Sequence, residues 1–84
     1  MEITFKLFAS LSDYLPVEAR RTNALSLEVP DGSTVAALID ARSLPTRMVH
    51  LVLVNGQYIP PAQRAERHLI AGDVLAIWPP IAGG

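Results

Sequence analysis

Leu25-Ser26-Leu27-Glu28-Val29-Pro30-Asp31-Gly32-Ser33-Thr34-Val35-Ala36-Ala37-Leu38-Ile39 changes its hydrophobic period part-way along, and that change decides the fold. Leu25, Leu27 and Val29 alternate with Ser26 and Glu28, the period of two that a half-buried strand requires. Pro30-Asp31-Gly32 is a turn, and Ser33 or Thr34 offers a hydroxyl to cap a helix. Val35, Leu38 and Ile39 then form one apolar helical face, with Asp40 and Arg42 falling elsewhere on a short helix that Pro45 keeps from continuing.

Upstream, Ile3, Phe5 and Leu7 alternate with Glu2, Thr4 and Lys6 and predict a first strand. Leu11, Tyr14 and Leu15 have the i, i+3, i+4 spacing of one helical turn, ended by Pro16. Downstream, Leu51-Val52-Leu53-Val54 is apolar on both faces, which predicts a strand covered on both sides. Asn55-Gly56 is a hairpin signal, because both residues tolerate positive φ. Gln57-Tyr58-Ile59 is a short return strand cut off by Pro60-Pro61, and Ala62 to His68 reads as a polar surface loop with room for a turn of helix. Gly72-Asp73 turns into a last strand, Val74 to Trp78. The order predicts an α+β domain in which one main helix covers one face of a mixed sheet of four to five strands. Its expected core is Ile3, Phe5, Leu7, Leu27, Val29, Val35, Leu38, Ile39, Leu53 and either Val74 or Leu75.

Composition narrows the function. Eighty-four residues make one small domain, and with half of them apolar and 18% charged the chain is globular rather than disordered. A net charge of −1 supplies no basic footprint for nucleic acid. No run of about twenty apolar residues is present and the N-terminus lacks the long apolar region of a signal peptide, so no membrane partner is expected and the expected location is cytoplasmic. Without cysteine there is neither a disulfide nor a thiol nucleophile, and His50 and His68 are isolated, so no metal site is expected. The residues contain no Ser-His-Asp or Cys-His set and no phosphate-binding glycine loop, which makes an intrinsic enzyme the least favoured reading. Lys6 is the sole lysine, a poor basis for polymers built on the chain itself.

The candidate functional segment is Pro79-Pro80-Ile81-Ala82-Gly83-Gly84. A glycine pair fits a narrow channel, and Pro-Pro favours an extended backbone that loses little entropy on insertion. Six extended residues reach about 20 Å. The expected organisation is therefore a body over residues 1–78 and a flexible tail over 79–84, with the Gly84 carboxylate presented to a partner's active site. At the root of the tail, Trp78 serves the core, a partner or both. Phe8 falls on the face opposite Ile3, Phe5 and Leu7, where it is either covered by the loop or a partner contact, the second being favoured. Arg64 and Arg67 are assigned to a solvated loop rather than to an acidic partner surface.

These residues together resemble the ubiquitin-like sulfur carriers of β-grasp fold, the MoaD/ThiS family. Lys6-Leu7-Phe8-Ala9 with Leu11 resembles the family's first strand and loop, and Thr34-Val35 with Leu38 its helix start. Val54-Asn55-Gly56 resembles its hairpin, and Leu69 with Gly72-Asp73-Val74 its last turn. Trp78-Pro79-Pro80-Ile81-Ala82-Gly83-Gly84 resembles the molybdopterin synthase small subunit most closely. Two features depart from that branch: Asn55 to Pro60 reads somewhat like the thiazole carriers, and tryptophan stands where phenylalanine is usual.

The resemblance implies a co-substrate with its active site in a partner and no intrinsic cofactor. An ATP-dependent activating enzyme (MoeB/ThiF-like) converts Gly84 to a transient glycyl-AMP. A sulfur donor protein then supplies the sulfur that leaves a thiocarboxylate. The tail, Pro79 to Gly83 forming its channel-threading stem, next enters a molybdopterin synthase large subunit (MoaE-like) and gives up the sulfur to a pterin precursor. Three alternatives share these residues: a thiazole-pathway carrier serving thiazole synthase, a ubiquitin-like modifier joined to lysines of other proteins, and a non-covalent binding module that never uses its tail chemically.

Overall fold

The computed structural model, which describes residues 1–81, gathers the alternating segments into one five-stranded sheet. In chain order the elements are β1 (Glu2–Leu7), β2 (Ala24–Glu28), helix α1 (Val35–Ala41), β3 (Leu51–Val54), β4 (Gln57–Tyr58) and β5 (Val74–Trp78). Across the sheet the order is β2-β1-β5-β3-β4. β1 pairs parallel with β5, Phe5 opposite Leu75, and every other pairing is antiparallel. A mixed sheet with one main helix is the β-grasp architecture that the sequence predicts.

Local chemistry accounts for each junction. Thr34 is extended, and its hydroxyl accepts from the Ala37 N–H at 3.1 Å, capping α1. The helix stops at Arg42, and Ser43 at φ 57° turns the chain away before Pro45. Asn55 and Gly56, at φ 52° and 82°, form the two-residue turn between β3 and β4. The segment around Leu11 folds as 3₁₀ turns, Ala9–Tyr14 and Val17–Ala19, with Pro16 between them, where the spacing alone predicts a single helical turn.

Size explains how the core is closed. Five strands about 4.8 Å apart make a sheet roughly 19 Å across. A helix of seven residues is only about 10 Å long. Connecting segments therefore complete the covering layer, and Leu11, Leu15, Ala19, Leu44, Ile59 and Leu69 join Ile3, Phe5, Leu7, Val35, Leu38 and Ile39 in one buried cluster. Two expectations need correction, and one alternative is resolved. Leu53 is only half-buried, because Val52 and Val54 supply the inward side chains of β3; one helical layer covers one face of the sheet, so β3 is not buried on both sides. Leu27 packs against the core from the edge strand β2 and stays half-exposed. Of the last-strand pair, Leu75 is the core residue and Val74 faces the other way.

One polar cluster fastens the hairpin to β5. Asp73, 3% exposed, accepts from the Asn55 Nδ2 and from the Ile70 backbone N–H, each at 2.9 Å. Asn55 Oδ1 in turn accepts from the Val74 N–H at 2.8 Å. Arg67 lies 3.9 Å from the same carboxylate, and Arg64 donates to the carbonyls of Ile59 and His50. Both arginines thus have partners within the domain, Arg64 tying its loop to the segment that leads into β3.

Leu38→Ala is expected to cost about 2–5 kcal/mol, the usual range for a buried leucine. Leu53→Ala, on the half-open face, is expected to cost about 1 kcal/mol. Urea unfolding of the two variants should keep that order; equal losses would mean that β3 is enclosed on both faces after all.

Candidate functional site

Alternation along the strands sends one set of side chains into the core and the other to a sheet face that no helix covers. Cross-strand register arranges this open face in rows. At one end Glu2 stands opposite Glu28. Next come Ser26, Thr4 and Val74, then Ala24, Lys6, Ala76, Leu53 and Tyr58. At the end where β5 gives way to the tail lie Phe8, Trp78 and Leu51, with Leu51 directly opposite Trp78. The face is acidic at the end remote from the tail and apolar beside it.

Phe8 and Trp78 form the centre of the apolar end. Their rings stack with centroids 4.3 Å apart and planes 6° from parallel. The Phe8 N–H donates to the Ile77 carbonyl at 3.2 Å, continuing the β1–β5 pairing one residue beyond the strand. Both side chains are half-buried, while Leu51 and Tyr58 are 36% and 51% exposed. No buried side-chain nitrogen or oxygen among the described residues lacks a hydrogen-bond partner, so the indole N–H is not stranded. Together these side chains make a contiguous apolar patch at the root of the tail.

The tail leaves from the middle of the sheet, since β5 has β1 on one side and β3 on the other. Pro79 is half-buried, Pro80 exposed, and Ile81 81% exposed. Ala82, Gly83 and Gly84, which the sequence reading makes the end of the threading segment and the acyl site, lie outside the described residues. Phe8 and Trp78, expected separately at a partner interface, are brought together at the root of that segment. Leu51, Leu53 and Tyr58 join the site only in the structure. The usable signal for them is that one short helix cannot cover two sheet faces, so half of an apolar strand must be left open.

The helical side carries a second concavity, a cavity of about 240 Å³ lined by Ala36, Ile39, Val49 and Pro61 with Asp40 and Arg64 at its margin. Its arginine is already committed to two backbone carbonyls, which leaves no convergent set of donors there. Among the described residues no group of three His, Cys, Asp or Glu side chains is placed to hold a metal ion, and no helix is long and apolar enough to cross a membrane.

Comparison with known proteins agrees with this geometry. A model of the ThiS family matches residues 6–84, and the chain belongs to that family. Small archaeal modifier protein 1 of Haloferax volcanii is similar over the whole of both chains at 26% identity, with a TM-score of 0.67. A Pyrococcus furiosus protein described as molybdopterin converting factor subunit 1 has a TM-score of 0.71 at 21% identity, over 96% of this chain and 99% of its own. Subunit 1 or 2 in the Helicobacter pylori complex of molybdopterin-converting factor matches over both full lengths at 17% identity and a TM-score of 0.59. These last two likenesses are of fold. No curated protein matches by sequence.

Because Trp78 is the sole tryptophan, its emission reports the stack directly. Phe8→Ala is expected to shift that emission to the red and quicken its quenching by acrylamide, with the far-ultraviolet circular dichroism unchanged. An unmoved spectrum would show that Phe8 does not shield the indole.

Proposed function

We propose that this ThiS-family chain is a sulfur carrier whose Gly84 is adenylated, converted to a thiocarboxylate and delivered to a synthase subunit in molybdopterin biosynthesis. The strongest support is that the family match runs through residue 84 and so includes Gly83-Gly84. The molybdopterin-converting-factor neighbours, one of them a complex of subunits 1 and 2, favour that branch and a large-subunit partner over thiazole synthase.

The chemistry derives from the terminal group. A carboxylate is anionic at neutral pH, its ordinary pKa being about 3.3–3.7, and its oxide leaving group makes it a poor acyl donor. Attack of the Gly84 carboxylate on the α-phosphorus of ATP forms an acyl–phosphate bond and releases pyrophosphate. Attack on that carbonyl by a sulfide equivalent from a donor protein forms the C–S bond, and AMP leaves with the electron pair of the broken C–O bond. In this reading the acids and bases for both steps belong to the partners. Its share is positioning: a narrow tail for the partner's channel and a rigid body that docks beside it. The Phe8–Trp78–Leu51 patch lies at the root of the tail, so a protein that seats the tail also meets the patch.

A modifier reading has support of its own, because the 26%-identical Haloferax volcanii neighbour is a small archaeal modifier protein. It shares the adenylate and differs in the acceptor, a lysine amine in place of a sulfur nucleophile.

Incubation with the activating enzyme, ATP and a sulfur donor is expected to raise the intact mass by about 16 Da, oxygen replaced by sulfur at the acyl carbon. Removing Gly84 should abolish the product and leave the fold intact, and Gly83→Val should block insertion by its bulk. A truncated chain that still supported cofactor synthesis would exclude the carrier and leave the modifier or the non-covalent module. Loss of Gly84 that abolished isopeptide conjugates in cells while molybdopterin synthesis continued would select the modifier.

A further inference from the structure

We infer that Lys6 is a specificity-determining contact of the open face, which pairs with a carboxylate of the activating enzyme that docks there. The inference rests on the carrier reading above and concerns how the partner is chosen rather than what happens at Gly84.

Lys6 projects from β1 onto the open face, because Phe5 and Leu7 on either side of it point into the core. Its cross-strand neighbours are Ala24 and Ala76, so nothing on either side rises to the height of its own side chain. It precedes Phe8 by two residues, or roughly 7 Å along the strand. A protein broad enough to cover the Phe8–Trp78 stack and take the tail therefore also covers Lys6. No ion pair or hydrogen bond involves its ammonium among the described residues.

Covering that ammonium without an opposite charge is costly, since the lost hydration is not replaced. A partner with an apolar or basic group at this spot is penalised, and one with a carboxylate is accepted; the lone charge selects by rejection as much as by attraction. The acids of the face, Glu2 and Glu28, stand at the far end and leave Lys6 as its cation beside the apolar patch. The matching enzyme surface is a shallow apolar depression with one Asp or Glu roughly 7 Å from its centre.

The test is ATP–pyrophosphate exchange by the activating enzyme, with the full chain as varied substrate. Lys6→Glu is expected to raise KM about tenfold or more while kcat changes little, since docking and not the acyl step is impaired. Lys6→Met, which keeps the apolar stem, should raise KM less and flatten the salt dependence of kcat/KM. Arg21→Glu makes the same change in net charge from an exposed loop and should leave KM within about twofold, which separates a local pair from general steering. Matching thermal unfolding curves would exclude a folding defect. An unchanged KM for Lys6→Glu, alongside exchange that still needs Gly84, overturns the Lys6 contact and spares the carrier reading. Absence of exchange with the unaltered chain removes the carrier reading itself. A wild-type dimer that Lys6→Glu dissolves would also overturn the inference, by assigning the acid to Glu2 or Glu28 of a second copy.

Discussion

The parallel pairing of β1 with β5 is the interaction on which the rest of this structure depends. It places the first and last strands side by side at the centre of the sheet, with Thr4 donating to Asp73 at 2.9 Å and Phe8 to Ile77 at 3.2 Å. Parallel strands cannot be joined by a tight turn, so everything between them must form the crossover. That crossover contains the whole edge hairpin, the helix and the loops whose leucines finish the core. It also fixes the tail: the chain beyond Trp78 leaves from the best-anchored strand, flanked on both sides. Under the proposed threading role such a base matters, because the docked body then sets where the tail begins.

Covering only one sheet face is the second constraint, and it turns a structural shortage into a surface. The single helix and its connecting segments cover one face among the described residues. The uncovered side chains cannot all be polar without weakening the strands, since β-branched and aromatic residues are what pleated strands favour. The result is graded. Glu2, Ser26, Thr4 and Glu28 keep one end of the face wet, and the apolar residues collect where the tail begins. Stacking Phe8 on Trp78 withdraws part of both rings from water and is worth about 0.5–1.5 kcal/mol beyond the area it buries. The patch is thus stable enough to stay exposed and still apolar enough to bind.

The strands, the cap and the hairpin are legible in the sequence because each is a short-range matter. Thr34 caps α1 through its own hydroxyl, and Asn55-Gly56 turns through its own φ angles. Leu53 misleads because a run of four apolar residues has no period of its own; which two face inward is set by the register with β5, a distant segment. Leu11 and Leu69 are absent from the expected core for a similar reason, since loop residues acquire burial only when a sheet wider than the helix needs covering. The Phe8–Trp78 stack joins residues 70 positions apart, which no local pattern reports, although each stands out alone. Arg64 and Arg67 look like solvated charges because carbonyl acceptors leave no mark in a sequence.

What separates a sulfur carrier from a protein modifier is then not to be sought in the tail. Both proposed uses call for a glycyl carboxylate, a narrow approach and the same activated acyl phosphate, so a Gly-Gly pair does not distinguish them. The choice lies with the nucleophile that meets the acyl carbon, and hence with the protein that holds the tail when it does. On the proposed reading that protein is selected by the body, over a footprint much larger than two glycines. In this chain the footprint has few discriminating groups: an aromatic stack, two exposed apolar residues beside it and one lysine. Apolar contacts tolerate many partners, because a hydrophobic patch of about the right shape accepts any other. A single charge within that patch does not, since every partner must either match it or bear the cost of stripping its water.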